Sequence, residues 1–190
     1  MNKLSNILLL SLFLSTSAFA DWQLSNDESN INFTSIKSAN IGEVHHFNTV
    51  NGSINDAGEV SLAIDLASVE TNIEIRNERM KSILFDTEKF TTATVKGAVD
   101  LTKVKALKVG DTFVEPVTLT LSLHGISHQV TNKVQITKLN NGKLLVTSLM
   151  PVIINASDYS LEDGVEKLRD VAKLASIDTA IPVSFNLIFQ

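Results

Sequence analysis

Apolar and polar residues alternate with a period of two along most of the chain. Ile31, Phe33 and Ser35 alternate with Asn32 and Thr34, and Leu62, Ile64 and Leu66 with Ser61, Ala63 and Asp65. Val95, Gly97, Val99 and Leu101 form a third run, and Val183, Phe185, Leu187 and Phe189 a last one. The clearest is Val117, Leu119, Leu121 and Leu123, set against Thr118, Thr120, Ser122 and His124. Successive side chains of a strand point to opposite faces, so each run predicts a strand with one apolar and one mostly wetted face, as in antiparallel sheets. Asn55-Asp56-Ala57-Gly58 and Asn140-Asn141-Gly142 lie between runs as short hairpin loops, and His124 to His128 reads as another reversal. The runs give about eight or nine strands, which in one small domain imply a barrel or a sandwich.

Two segments leave this pattern. Thr71-Asn72-Ile73-Glu74 has the form of a capping box, and Ile73, Met80, Ile83 and Leu84 after it share a helical face. Ser160-Leu161-Glu162-Asp163 offers a second cap, followed by Leu161, Val165, Leu168, Ala172 and Ala175 at helical spacing. The expectation is an all-β domain interrupted by two short helices, with no linker, internal repeat or low-complexity tract.

The first twenty residues read differently. Lys3 is followed by the apolar run Ile7 to Leu14, and Ala18-Phe19-Ala20 supplies a small-x-small cleavage step. This is the form of a secretory signal peptide over residues 1–20, leaving residues 21–190 as the exported, mature domain. The whole chain carries 16 basic and 21 acidic residues, a net charge of −5. Removing Lys3 leaves fifteen basic residues against twenty-one acidic, a balance of −6. An acidic chain with singly scattered basic residues is a poor partner for nucleic acid. No later apolar run approaches the ~18 residues of a membrane-spanning helix. The chain has no cysteine, which excludes disulfides, thiolate metal ligands, a thiol nucleophile and an acylated N-terminal anchor.

Catalytic motifs are missing: there is no G-x-S-x-G, P-loop, G-x-G-x-x-G or H-E-x-x-H. His45 and His46, adjacent on a strand, point to opposite faces and do not share a metal readily; His124 and His128 flank a turn and could face each other across it. Neither pair brings enough further ligands for a metal, so all four read as solvated or hydrogen-bonded side chains. Glu70, Glu74, Glu78, Asp86 and Glu88 gather around the first helix beside Arg76, Arg79 and Lys81. They read first as a solvated, ion-paired helix face, with Arg76 and Arg79 as alternatives for meeting a polar or anionic ligand head. The alternation itself fits both a closed core and a ligand-lined cavity, because an eight-stranded barrel lies at the size where either occurs.

The stretch from Val69 to Val95 resembles the signature of the YceI-like family: a Thr, then Arg-Asp before a short helix, then Phe-Asp-x-x-Lys-Phe/Tyr-Pro leading into a strand. Three further segments resemble it in order. Trp22 to Phe33 is similar to the family's opening strands and Phe47 to Ile54 to its F-x-x-x-x-G-x-I step. Leu119 to Val130 is similar to its L-T-L-x-G-V-T-x-P-V hairpin, and Ser157-Asp158-Tyr159-Ser160-Leu161 to its S-D-F-G-L. Asn77 stands in place of the usual Asp, Thr91 and Gln129 in place of Pro, and Ser160 in place of Gly.

The resemblance implies an antiparallel, eight-stranded, lipocalin-like barrel holding a long isoprenoid or related lipid, such as a quinone, in its interior. It implies a periplasmic carrier, not an enzyme, with no resident cofactor. Strand phase together with the resemblance selects Phe33, Phe47, Ile64, Leu66, Leu84, Phe85, Val117, Leu119, Leu121, Phe185 and Leu187 as lipid-binding candidates, and Arg76 and Arg79 as head-group candidates. A homodimer is compatible with this reading. Three rivals stay open: a small outer-membrane barrel, disfavoured by one Trp and one Tyr where aromatic girdles are needed; an enzyme using the barrel mouth; and an interaction module with a closed core.

Overall fold

A computed structural model describes residues 22–190 of the chain, so the signal peptide read over residues 1–20 lies outside the described residues. Among the described residues twelve strands form a single antiparallel sheet: β1 (Trp22–Gln23), β2 (Asn30–Lys37), β3 (Ile41–Phe47), β4 (Val50–Ile54), β5 (Glu59–Asp65), β6 (Val69–Glu70), β7 (Thr92–Ala98), β8 (Thr112–Leu123), β9 (Ile126–Lys138), β10 (Leu144–Ser148), β11 (Val152–Asn155) and β12 (Ala180–Phe189). Their spatial order is β1-β4-β5-β7-β8-β9-β10-β12-β2-β3-β6, with β11 also beside β12.

The sheet curls on itself. Leu24 N donates to Gly52 O of β4 at 2.9 Å, while Gln23 N and Ser25 N donate to Gln190 O and Ile188 O, each at 2.8 Å. Residues 23–25 therefore touch both β4 and the end of β12, drawing distant strands of the order together.

The strand count exceeds the eight expected because two courses are broken. Strands β3 and β4 follow one another across Asn48-Thr49, the first pairing with β2 and the second with β5. Strands β10 and β11 are interrupted at Leu149–Pro151, where Pro151 has no N–H for the ladder, yet both pair with β12. The two-residue strands β1 and β6 make up the rest.

The helices also differ from the expectation. Three α-helices are present among the described residues: α1 (Glu74–Arg79), α2 (Leu101–Ala106) and α3 (Glu162–Ala172), and α1 continues into a π-helical turn over Met80–Phe85. Helix α2 was not expected. Strand β7 stops at Ala98, Asp100 caps α2 by accepting from Thr102 N at 2.8 Å, and Leu101 and Val104 turn one face inward. The capping box at Thr71 does not form: Ile73 is the N-cap, and Thr71 donates instead to Asn77 Oδ1 from N at 2.9 Å and from Oγ1 at 2.6 Å. Ser160 is no cap either, since it sits in the left-handed region at φ 54° and α3 starts after Leu161. Gly164 lets α3 lie against the π-helical turn; a Cβ there would stand 3.1 Å from both Ile83 O and Leu84 Cα.

Candidate ligand-binding cavity

The apolar face of the curled sheet does not meet itself. It encloses a cavity of about 560 Å³, within the roughly 300–1,000 Å³ range of small-ligand sites. Leu101 and Val104 of α2 line it beside Ile54 and Leu144, while Leu84 and Phe85 of the π-helical turn and Val165 and Leu168 of α3 line it from the helical side.

All of the residues selected from the sequence face this one cavity. Phe33 comes from β2, Phe47 from β3, Ile64 from β5, Leu66 from the turn after it, Val117, Leu119 and Leu121 from β8, and Phe185 and Leu187 from β12. Arg76 and Arg79 line it from α1. Phe33, Phe47 and Phe85 follow one another, with ring centroids 5.4 Å and 6.1 Å apart. Gly97 of β7 faces Leu119 so closely that any side chain at 97 would collide with it.

The polar part of the wall lies mainly along β2 and β3 and was largely missed in the sequence. Ser35, Lys37, Glu43 and His45 all line the cavity. From Phe33 the inward positions of β2 run apolar, hydroxyl, ammonium, through Ser35 to Lys37, and those of β3 run Phe47, His45, Glu43. Phe33 pairs with His45 and Ser35 with Glu43, so both strands become more polar in the same direction. The signal was present: once Phe47 is placed inside, the period of two puts His45 and Glu43 on the same face.

The ladder ends in ion pairs. Glu43 Oε2 accepts from Lys37 Nζ at 2.8 Å and from Arg76 Nη1 at 2.7 Å, and Arg76 Nη2 also donates to Thr71 O at 2.7 Å. The hydrogen bond from Lys37, with the Arg76 charge behind it, holds the Glu43 carboxyl below the ordinary range. Arg79 makes no ion pair among the described residues. Arg76 thus pairs with β3, not with the acids of its own helix; there the Glu78–Lys81 pair forms at 2.9 Å.

His45 is 2% exposed. Its Nε2 lies 2.9 Å from Ser35 Oγ, while its Nδ1 is buried without a hydrogen-bond partner. Burial, reinforced by the Arg76 charge, pushes its pKa down to about 4, so the ring is neutral at pH 7. His124 and His128 have separate ring partners. His124 and Gly125 are the turn itself, His128 sits opposite Leu121, and the two rings contact Phe90 and Tyr159 respectively. Among the described residues no three His, Asp or Glu side chains converge to hold a metal ion, and no helix is long and apolar enough to cross a membrane.

The family model of the YceI-like domain matches residues 22–189, the whole of the curled sheet. The chain belongs to the YceI-like family. Among solved structures, this member is similar to a polyisoprenoid binding domain from Saccharophagus degradans implicated in plant cell wall breakdown, with 40% sequence identity and a TM-score of 0.87 over 89% of this chain and 97% of that one. It shares its fold with BcnA of Burkholderia cenocepacia, at 18% identity and a TM-score of 0.65 over 87% and 98% of the two chains. No curated protein sequence matches it.

Proposed function

We propose that this YceI-like protein binds a long-chain isoprenoid or related lipid inside its curled sheet and carries it through the periplasm. The observation that supports this reading most strongly is the apolar cavity of about 560 Å³ with its polar groups gathered mainly along the β2–β3 wall. A hydrocarbon tail gains about 0.8 kcal/mol per buried CH₂, so ten carbons contribute roughly 8 kcal/mol before the cost of ordering the chain. A tail against Phe33, Leu121 and Leu187, with its polar end toward Arg76 and Arg79, matches that distribution. The 40% identity to a polyisoprenoid binding domain supports the same ligand class.

With β3–β4 and β10–β11 each taken as one bent stave, and β1 and β6 set aside, the sheet reads as an eight-stave lipocalin-like barrel. The reading has no catalytic step. Glu43, a carboxylate on the wall, is held ionised by Lys37 and Arg76, the opposite of the raised pKa that favours a general base near neutral pH.

The test is a titration with a fluorophore that brightens in apolar surroundings, followed by displacement with a long-chain prenol. Stoichiometric displacement is expected, and it should weaken at least tenfold in Leu121→Trp. A protein that takes up neither fluorophore nor prenol would sink the proposal.

A further inference from the structure

The wall of the curled sheet has a seam between β9 and β11. Strand β9 pairs with β10 only over Val134–Lys138, and β11 pairs with β12 alone. Beyond a bond from Leu149 N to Lys133 O at 2.9 Å, no backbone hydrogen bond joins the two courses among the described residues. Backbone groups alternate sides along an antiparallel strand. Those of Gln129 and Thr131 therefore point the same way as Lys133 O, into the seam, and meet no strand there.

A second cavity of about 480 Å³ lies in this seam, with the exposed Met150 and Ile153 in its lining. Val130, Asn132, Val152 and Ile154 line both this space and the main cavity. Side chains, and no ladder of hydrogen bonds, close the wall here. The Leu149–Lys133 bond holds one end of the seam. At the other end the His128 ring packs edge-on against Tyr159, with centroids 5.3 Å apart. Next to the first, Asn132 Nδ2 donates to Met150 O at 3.0 Å, while its Oδ1 accepts from Lys133 N at 2.8 Å.

Parting two paired strands exposes ladder groups that must find new partners. Parting β9 from β11 breaks the Asn132 bond, and their other facing backbone groups already lack strand partners. At the α1 end of the main cavity a hydrocarbon would instead pass Lys37, Glu43, Arg76 and Arg79. Their charges are costly to strip of water.

We infer that the seam between β9 and β11 is the passage through which the lipid enters and leaves the cavity, with Asn132 as its latch. This rests on the lipid-binding reading and adds the route.

The experiment locks the seam. Gln129→Cys/Ile153→Cys places thiols on its two sides, in a chain with no other cysteine. A bis-maleimide with a disulfide in its spacer joins them and is cut again by reductant. The measurement is stopped-flow release of a prenol carrying a dansyl head into excess unlabelled prenol. Linking is expected to slow release roughly tenfold or more and to leave equilibrium affinity as it was, because entry slows with exit. Reduction is expected to restore the rate in the same sample. The same linker in Ser61→Cys/Lys96→Cys, a directly opposed pair on β5 and β7, is expected to leave release unchanged. Asn132→Ala is expected to release the prenol about three- to tenfold faster, the range of one net hydrogen bond.

Release that is unaffected by the seam linker, or slowed equally by the β5–β7 linker, overturns the inference. An unchanged rate in Asn132→Ala overturns the part assigned to that residue. In each of these cases lipid binding itself stands. A labelled prenol that binds neither wild-type nor unlinked protein overturns the lipid-binding reading as well.

Discussion

Asn77 Nδ2 donates to Glu70 Oε1 at 3.0 Å while Asn77 Oδ1 accepts from both N and Oγ1 of Thr71. One buried amide therefore joins β6 to α1 at the helical end of the cavity, using a donor and an acceptor at once. An aspartate, the residue the YceI-like signature carries there, supplies only the acceptor and adds a second negative charge beside Glu70. The Glu70 carboxyl is held below the ordinary range chiefly by the Asn77 hydrogen bond.

Asn77→Asp is accordingly expected to destabilise the fold by about 1–3 kcal/mol at pH 7, through a lost hydrogen bond and like-charge repulsion. Glu70→Gln in the same chain should restore most of the loss. Urea denaturation of the two single variants and the double variant checks this; simple additivity of the singles would remove the proposed coupling.

His45 makes stability fall on mild acidification. Its folded pKa of about 4 lies below the ordinary value of 6.5, so between those values the unfolded chain binds a proton that the folded chain refuses. Stability from this group is full above pH 6.5 and is lost as pH falls toward 4. The loss between pH 7 and pH 5 is on the order of 1–2 kcal/mol. Arg76, Glu43, Lys37 and His46 all act on the ring, but only His45 itself is removed in His45→Phe. That variant should show a smaller stability change between pH 7 and pH 5; an unchanged one would place the acid sensitivity elsewhere.

Glu43 acts in a lower window. Its folded pKa is depressed by Lys37 and Arg76, so its contribution is present above the ordinary carboxylate value of 4.5 and is lost as pH falls through the folded value. Glu43→Gln should lower stability by about 0.2–1 kcal/mol at pH 7, the range for partly exposed ion pairs. It should also speed hydrogen exchange over residues 73–80, because Arg76 then loses its tie to β3. Unchanged exchange there would mean that other contacts hold α1 in place.

The cavity is bounded by the close approach of β7 and β8. Gly97→Val forces Leu119 to move, with a cost of about 1–3 kcal/mol for overpacking. If Leu119 moves inward, binding of a long prenol weakens together with stability; lowered stability at unchanged affinity would show that Leu119 moves away from the cavity.

The inward phase of the long strands was legible because alternation on β8 and β12 is unbroken, and Leu119, Leu121, Phe185 and Leu187 line the cavity where that phase puts them. The polar part of the wall was harder to read. Glu43 and His45 carry the phase of Phe47, but polar residues on an inward face imitate a wetted strand when only hydropathy is followed. Helix α2 was hidden because Leu101 continues the phase of Val95, Gly97 and Val99; Asp100 as a cap and the Leu101–Val104 spacing were its signals. The broken courses at Asn48-Thr49 and Leu149–Pro151 depend on how the sheet bends, which pairing across strands decides and local pattern does not. Whether the interior is filled is set by the sum of side-chain volumes around the curl, and no single run contains that information.

The most direct test of the central claim is native mass spectrometry of the protein purified without detergent from its native host, with organic extraction of the same sample. The expected result is a stoichiometric adduct that extracts as a prenyl-chain or related lipid. A bare protein mass that stays bare after incubation with prenols and prenylated quinones would contradict the account.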